Sequence, residues 1–179
     1  MRTLIRETLQ VILLALVIFF TIHSMVQTFR VDGISSEPNL HNGQWVLVNK
    51  TAYWFGRNPQ RGDIVIAQHP AEPGDVIKRI IGLPGETVEV KNDGTVYING
   101  ELLEEPYLPP NHISPISGTW PLTDEQYFVM GDNRPSSSDS RYWGPITRNK
   151  VIGKAWIIIW PLHDWGWAPN HSLVMAATP

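Results

Sequence analysis

The longest apolar run of the chain lies near its N-terminus. Residues Val11–Phe20 are ten unbroken apolar residues, and with their flanks, Leu9–Val26, they reach roughly the length of a helix that spans a bilayer. A buried core helix would show a polar face, which this run lacks. A cleaved signal peptide would share the basic start and apolar middle, but no clear small-residue cleavage site follows. The pattern therefore predicts an uncleaved transmembrane anchor.

The basic residues around this run predict its orientation. Arg2, Arg6 and the amino terminus precede it, and only Arg30 follows closely. Cytoplasmic flanks carry the excess of Lys and Arg, so the N-terminus should be cytoplasmic. We therefore expect residues 1–27 to form the cytoplasmic N-terminus and single anchor of a plasma-membrane protein. Residues 28–179 should form its domain on the outer side.

Beyond the anchor the pattern is mainly that of β-strands. Short apolar or alternating runs predict strands at 45–48, 64–67, 76–81, 87–90, 95–98, 127–130 and 151–160. The step Asp93-Gly94 predicts a hairpin between two of them. A proline-rich stretch at about 104–123 has little periodicity and reads as a long surface excursion. The chain is thus predicted to be an anchor followed by one β-rich domain.

Composition excludes several kinds of site. The chain has no Cys, which rules out a thiol nucleophile, a thiolate metal site and a disulfide framework. The net charge of −3 and the lack of a basic cluster predict no nucleic-acid partner. The six His show no ligand spacing, so we expect no metal and no cofactor. Eight Trp is compatible with a membrane-surface protein or with a Trp-rich core.

One lysine lies in an apolar strand. Lys78 shares a strand face with Val76 and Ile80, and such surroundings disfavour the charged form and lower a lysine's pKa. A neutral amine within reach of a serine can accept its proton, which an arginine cannot do. The alternative, which the strand alone favours, is that Lys78 reaches the surface or pairs with an acid.

Two further stretches carry polar groups suited to the same chemistry. VDGISSEPNL at 31–40 places two adjacent hydroxyls, Ser35 and Ser36, in a loop with Gly and Pro. GDNRPSSSDSRYWG at 131–144 supplies Ser, Asp and Arg. A serine in such a loop is by itself more often a turn residue. A serine, a buried lysine and a Ser/Asp/Arg loop are nevertheless the parts of a Ser–Lys hydrolase.

Together these stretches resemble the type I signal peptidases, the membrane-bound Ser–Lys enzymes that remove signal peptides. The family's motifs read roughly S-M-x-P-T-L, K-R-x-x-G-x-P-G-D/E and G-D-N-x-x-x-S-x-D-S-R. Here they stand as SSEPNL, KRIIGLPGE and GDNRPSSSDSR, and RGDIV at 61–65 matches the segment between the first two. The resemblance covers nearly the whole chain. It implies a mainly β domain of coiled antiparallel sheets.

The resemblance also implies roles for individual residues. Ser35, three residues before Pro38, would be the nucleophile and Lys78 its general base. Ser137 would orient the lysine. Two ion pairs would support the site, and they are Asp139–Arg141 and Arg79–Asp132. Gly33 stands where some members carry an oxyanion-binding hydroxyl, which leaves the backbone N–H of Ser35 as a donor. Pockets for small residues, usually Ala, at the first and third positions before the cut would be walled by Phe29, Val31 and Ile77.

The chain departs from the family inside the nucleophile motif. Ser36 stands where the family has Met, and Asn39 where it usually has Thr. Two candidate nucleophiles result, of which position favours Ser35. A divergent, weakly active or inactive relative that binds signal peptides is one alternative. A self-cleaving regulator is another, against which the anchor and the lack of a DNA-binding segment count. A Ser–His–Asp triad stays open, although no nucleophile-elbow motif supports it.

The sequence therefore predicts a membrane-anchored serine endopeptidase. It should remove signal peptides from exported preproteins through an acyl-enzyme formed on a Ser–Lys dyad. The expected partners are the signal peptides of preproteins, the lipid bilayer and the protein export machinery.

Overall fold

The computed structural model describes residues 2–110 and 112–176. Met1, Asn111 and residues 177–179, which fall in the predicted anchor, excursion and outer domain, lie outside the described residues. Two α-helices are present among those described, α1 (Arg2–Met25) and α2 (Ser140–Trp143). The strands are β1 (Val26–Arg30), β2 (Trp45–Asn49), β3 (Ile64–Gln68), β4 (Asp75–Gly82), β5 (Thr87–Val90), β6 (Val96–Ile98), β7 (Glu101–Leu102), β8 (Gly118–Pro121), β9 (Gln126–Met130), β10 (Ile146–Thr147), β11 (Val151–Trp160) and β12 (Gly166–Trp167).

Helix α1 contains the apolar run that predicted the anchor. Its segment Leu4–Met25 is long and apolar enough to cross a bilayer, and its most apolar part is not buried against the rest of the chain. The helix ends one residue before the predicted limit. It stops because Val26 already pairs with Asn49 in the sheet and Lys50 donates its backbone N–H to the carbonyl of Met25.

The larger sheet has the strand order β1-β2-β11-β3-β4-β9-β10, with β12 on β11, and its pairs are antiparallel. The long strand β11 shifts register at two places against β2 and at one against β3. Such irregularities bend a strand and increase its twist, which curls the sheet. The predicted mainly β, coiled antiparallel fold is confirmed.

A smaller sheet has the order β7-β6-β5-β8. The predicted hairpin at Asp93-Gly94 joins β5 to β6, where Lys91 donates its backbone N–H to the carbonyl of Thr95 over 2.9 Å. Strand β8 lies inside the proline-rich stretch and was not predicted. It forms because its backbone pairs with β5 and the ring of Trp120 packs on Phe128 at a centroid distance of 4.9 Å.

Strand β4 is the element that positions the site. Ile77, Ile80 and Ile81 are buried on its two faces, which fixes Lys78 and Arg79 on opposite sides of the sheet. Strand β9 pairs with β4 only from Arg79 onward, whereas β3 pairs along 75–79. Among the described strands, the first half of β4 therefore has a neighbour on one side only.

Most of the tryptophans lie at the surface. Six of the eight are exposed, and these are Trp45, Trp54, Trp156, Trp160, Trp165 and Trp167. All but Trp54 belong to β2, β11, β12 or the turn between the last two. This distribution excludes the Trp-rich core that composition left open.

Candidate active site

The two residues predicted to react are in contact. Nζ of Lys78, on β4, donates to Oγ of Ser35 over 2.8 Å. Ser35 lies in the loop of residues 31–40, which follows β1 and is called here the nucleophile loop. The sheet thus brings a hydroxyl and an amine within the distance at which a proton can pass between them.

Burial shapes the acid–base behaviour of Lys78. Its side chain lies within the sheet and the residue is only 5% exposed. Burial lowers the pKa of Lys78 from 10.5 to about 8, because desolvation outweighs the opposing charges of Asp139 and Asp132. Arg141 adds to the decrease. About one tenth of the amine is therefore uncharged at pH 7 and able to accept a proton.

Backbone hydrogen bonds hold the nucleophile loop in place. Val31 donates to the carbonyl of Gln44, and Gly43 donates to the carbonyl of Val31, both over 2.8 Å. Gly33 has a φ of +88° and donates to Oδ1 of Asn42 over 2.9 Å. A side chain at Gly33 would be strained at this φ. Gly33 therefore shapes the loop while offering no hydroxyl to an oxyanion.

The two adjacent serines differ in their surroundings. Ser35 is half-buried and bonded to Lys78, whereas Ser36 is 5% exposed and its carbonyl accepts from Leu40 over 2.9 Å. Among the described residues the backbone N–H of Ser35 donates to no protein acceptor. Ser35 thus combines an activated hydroxyl with a free donor for a developing oxyanion.

Asn133 holds the nucleophile loop, a role that the sequence did not predict. Its backbone N–H donates to the carbonyl of Ser35 over 3.0 Å, and its Nδ2 donates to the carbonyl of Ile34 over 3.1 Å. The side chain and backbone of one residue therefore clamp the peptide beside the nucleophile. The G-D-N motif contained this residue, but only coordinates show which carbonyls it meets.

The first predicted ion pair, Arg79–Asp132, is buried and bidentate. Nε and Nη2 of Arg79 donate to the two carboxylate oxygens over 2.8 and 2.6 Å. Nη1 donates to the carbonyls of Gly62 and Pro169, and the guanidinium lies 4.1 Å from the ring centre of Tyr107. This pair joins β4 to three other segments and so fixes the strand that carries Lys78.

The second pair, Asp139–Arg141, lies at the start of α2. Nε and Nη2 of Arg141 donate to Asp139, each over 2.8 Å, and both residues are buried. Asp139 also accepts from the backbone N–H of Gly131 over 2.9 Å, and Arg141 donates to Oγ of Ser114 over 2.9 Å. The pair therefore orders the segment that packs against the nucleophile loop.

Ser137 lies beside the nucleophile loop without a hydrogen bond to Lys78. Its hydroxyl is buried and has no hydrogen-bond partner among the described residues, so the expected bond to Lys78 is not formed. Lys78 is instead bonded to Ser35. A Cβ on Gly131 would lie 2.2 Å from Oγ of Ser137 and 2.5 Å from the carbonyl oxygen of Ser35. Because Gly131 has no side chain, the hydroxyl of Ser137 and the carbonyl of Ser35 can both pack closely against it.

A cleft of about 360 Å³, called here the substrate cleft, opens beside the reacting pair. Its walls are Thr28, Phe29, Arg30, Asp32, Ser35, Asp75, Val76, Ile77 and Lys78. Two of the three predicted wall residues, Phe29 and Ile77, line it. Val31 does not reach its surface, because it is 1% exposed and packs in the core with Ile77.

The site contains no arrangement for a metal. Among the described residues, no group of three or more His, Cys, Asp or Glu side chains is placed to hold an ion.

Comparisons with known proteins agree on one family. A family model described as signal peptidase, peptidase S26, matches residues 4–160. A signal peptidase I of Bacillus amyloliquefaciens is 40% identical over 152 residues, which cover 79% of this chain and 78% of the relative. Signal peptidase I S of Bacillus subtilis strain 168 is 38% identical over 172 residues, covering 89% and 91%. A solved signal peptidase I structure from Enterococcus faecalis V583 is 40% identical and covers 54% of this chain and 96% of its own, with a TM-score of 0.48.

Proposed function

Because the chain belongs to the signal peptidase family, peptidase S26, we propose that it removes signal peptides from exported preproteins with Ser35 as nucleophile and Lys78 as general base. It is a serine endopeptidase. The observation that carries the assignment of the two residues is the 2.8 Å hydrogen bond from Lys78, which is 5% exposed, to Ser35.

The mechanism follows from the protonation state of the lysine. Neutral Lys78 accepts the proton of Ser35 while the serine oxygen attacks the peptide carbonyl. The free N–H of Ser35 donates to the oxyanion. The ammonium of Lys78 then returns its proton to the leaving amine, and an acyl-enzyme remains. Lys78 activates a water molecule that releases the signal peptide and restores the serine.

The half-paired strand β4 supports a mode of substrate binding. Residues 75–78 of β4 line the substrate cleft together with residues from 28–32, and β3 is the one described strand that pairs with that half of β4. An extended peptide adds readily to such an edge through main-chain hydrogen bonds. Its side chains would meet Phe29 and Ile77, with Val31 beneath them, and these bulky walls favour small residues before the cut.

Substitution of the two serines and of Lys78 tests the assignment of nucleophile and general base. Ser35→Ala and Lys78→Arg should each abolish cleavage of a preprotein by the detergent-solubilised chain, because one removes the nucleophile and the other installs a permanent cation. Ser36→Ala is the matched control and should retain most activity. Equal loss from Ser36→Ala would show that the nucleophile is misassigned. Full activity of Ser35→Ala would instead favour the alternative of a relative that only binds signal peptides.

The bilayer is the second proposed partner. Helix α1 supplies one candidate span, and exposed tryptophans lie on the neighbouring strands β2, β11 and β12. Tryptophan is favoured at the interface between lipid and water. With α1 crossing the membrane and its N-terminus in the cytoplasm, the active site works at the outer surface, where the apolar segment of a preprotein remains in lipid. The export machinery that delivers the preprotein stays a predicted partner.

The absence of Cys makes the orientation easy to measure. Phe55 is 97% exposed, so Phe55→Cys offers a single thiol on the domain. A membrane-impermeant maleimide should label it in intact cells whose outer barrier, if any, has been opened. A cysteine added before Met1 should react only after the plasma membrane is permeabilised. The reverse labelling pattern would overturn the proposed orientation.

A further inference from the structure

A second cavity borders the nucleophile loop. It measures about 250 Å³ and is smaller than the pockets of about 300–1,000 Å³ that hold drug-sized ligands. Glu37 and Pro38 from the nucleophile loop, Asn133, Pro109 and Pro135 contribute to its walls. It shares no lining residue with the substrate cleft, although the nucleophile loop contributes to both.

Three prolines give the second cavity apolar walls. Its charged side chains differ in whether a buried partner neutralises them. Asp132 and Arg134 line it, but each is neutralised by a buried partner, Arg79 and Glu105 respectively. Glu37 is different, because its side chain is 38% exposed. Its one ion-pair contact among the described residues is His41, whose Nδ1 lies 4.0 Å away. His112 also lines the cavity. Among the described acidic and arginine side chains of the cavity, the carboxylate of Glu37 is therefore the one that no buried partner neutralises.

The position of the second cavity identifies its occupant. In the proposed function the residues before the cut fill the substrate cleft and the reacting carbonyl reaches Ser35. An extended chain advances by about 3.3 Å per residue, so the next residues still lie beside the nucleophile loop. Glu37 is two positions beyond Ser35, and Asn133 both lines the second cavity and holds the carbonyl of Ser35. The segment after the cut must leave past these groups.

We propose that the second cavity binds the first two residues of the mature protein, directly after the cut, and that Glu37 makes it favour basic over acidic side chains there. This rests on the proposed function, since that function supplies the direction of the chain. The apolar walls accommodate the stems of Lys or Arg while the carboxylate meets their charge. An acidic side chain in the same place is repelled.

Binding of uncleaved peptides tests the proposal. Three junction peptides would carry Lys-Lys, Gln-Gln or Glu-Glu after the same cut site. Their Kd values are measured by fluorescence anisotropy on the full chain carrying Ser35→Ala, in neutral detergent and low salt. The same measurement is repeated with Glu37→Gln added, and with Glu125→Gln, an exposed acid on a different face, as the matched control.

The expected result is a preference that depends on Glu37. Lys-Lys should bind about threefold to tenfold more tightly than Glu-Glu, the size expected when an exposed charge pair replaces a repulsion. The ratio should fall to about one with Glu37→Gln and stay unchanged with Glu125→Gln. A ratio that survives Glu37→Gln, or that is already one with Glu37 present, would overturn the proposal. Cleavage of the same peptides by the unsubstituted chain and by the Ser35→Ala chain is scored separately, so a failure of the proposed nucleophile is seen independently of the binding ratio.

Discussion

The side-chain amide of Asn39 donates to Oδ2 of Asp132 over 2.9 Å, and the same nitrogen donates to the carbonyl of Tyr107 over 3.1 Å. Asp132 is the carboxylate that holds Arg79, the neighbour of Lys78. Asn39 therefore ties the nucleophile loop to the strand that carries the base. The departure from the family's usual Thr supplies a donor to this junction, so it does not by itself indicate an inactive relative.

A carboxylate in place of that amide should damage the site. Asn39→Asp replaces a donor with a negative charge facing Asp132, which leaves a part-buried acceptor unsatisfied. We expect kcat/KM for a preprotein to fall at least about tenfold and the free energy of unfolding to fall by about 1–3 kcal/mol. Asn39→Thr should retain more activity than Asn39→Asp, because a hydroxyl still donates.

Asn58→Asp is the matched control for this change, since Asn58 is exposed and lies outside the nucleophile loop. Preprotein cleavage and urea unfolding should be close to those of the unsubstituted chain. If Asn39→Asp behaved like this control, the link between Asn39 and Asp132 would have no part in positioning the nucleophile.

Gly131 should be intolerant of even one methyl group. The Cβ of Gly131→Ala would lie 2.5 Å from the carbonyl oxygen of Ser35 and 2.2 Å from Oγ of Ser137, so the peptide beside the nucleophile must move. A displacement of about 1 Å costs up to about a hundredfold in rate. We expect a loss of kcat of about tenfold to a hundredfold, measured at saturating preprotein. Gly166→Ala, whose Cβ meets nothing closer than 3.8 Å, should leave kcat unchanged, and equal values for the two variants would contradict the packing argument.

The exposed tryptophans should meet lipid. With the full chain in nanodiscs, brominated lipids should quench its tryptophan fluorescence, and Trp165→Ser with Trp167→Ser should reduce that quenching. The same pair should slow cleavage of a preprotein held in the bilayer more than cleavage of a short soluble peptide. Tyr142→Ser is the control, because this exposed aromatic residue lies on α2, next to β9 and far along the sheet from β2. Unchanged quenching in the tryptophan variant would show that Trp165 and Trp167 do not contact the membrane.

The sequence pattern predicted the strands that bury alternate residues, because such strands alternate apolar and polar residues along the sequence. Strands β5 and β6, joined by the hairpin at Asp93-Gly94, are examples. Strands β1, β7, β8, β10 and β12 were not predicted, because each is short and is held by backbone pairing with a neighbouring strand. Local pattern carries little information about such pairing.

The active site likewise has features that the motifs predicted and features that only the coordinates show. The motifs contain Ser35 and Lys78, which the structure places in contact although 43 positions separate them. The motifs do not show that Asn133 clamps the nucleophile loop or that Asn39 reaches Asp132, because those bonds depend on how two loops meet. Nor do they show that the hydroxyl of Ser137 has no hydrogen-bond partner in the part of the chain that the structure describes. That geometry depends on differences of about an ångström between packed groups.

The dependence of cleavage on pH follows from the buried amine. Burial lowers the pKa of Lys78 to about 8, and the neutral form is the one that accepts the proton of Ser35. About one tenth of the amine is neutral at pH 7 and about one hundredth at pH 6. We therefore expect kcat/KM for a peptide substrate to rise about tenfold per pH unit between 6 and 7.5 and to level off above about 9. Lys91→Met, which alters an exposed lysine on the smaller sheet's hairpin, should leave the profile in place. A rate that stays flat between pH 6 and 8 would mean that Lys78 is not the group whose deprotonation limits cleavage.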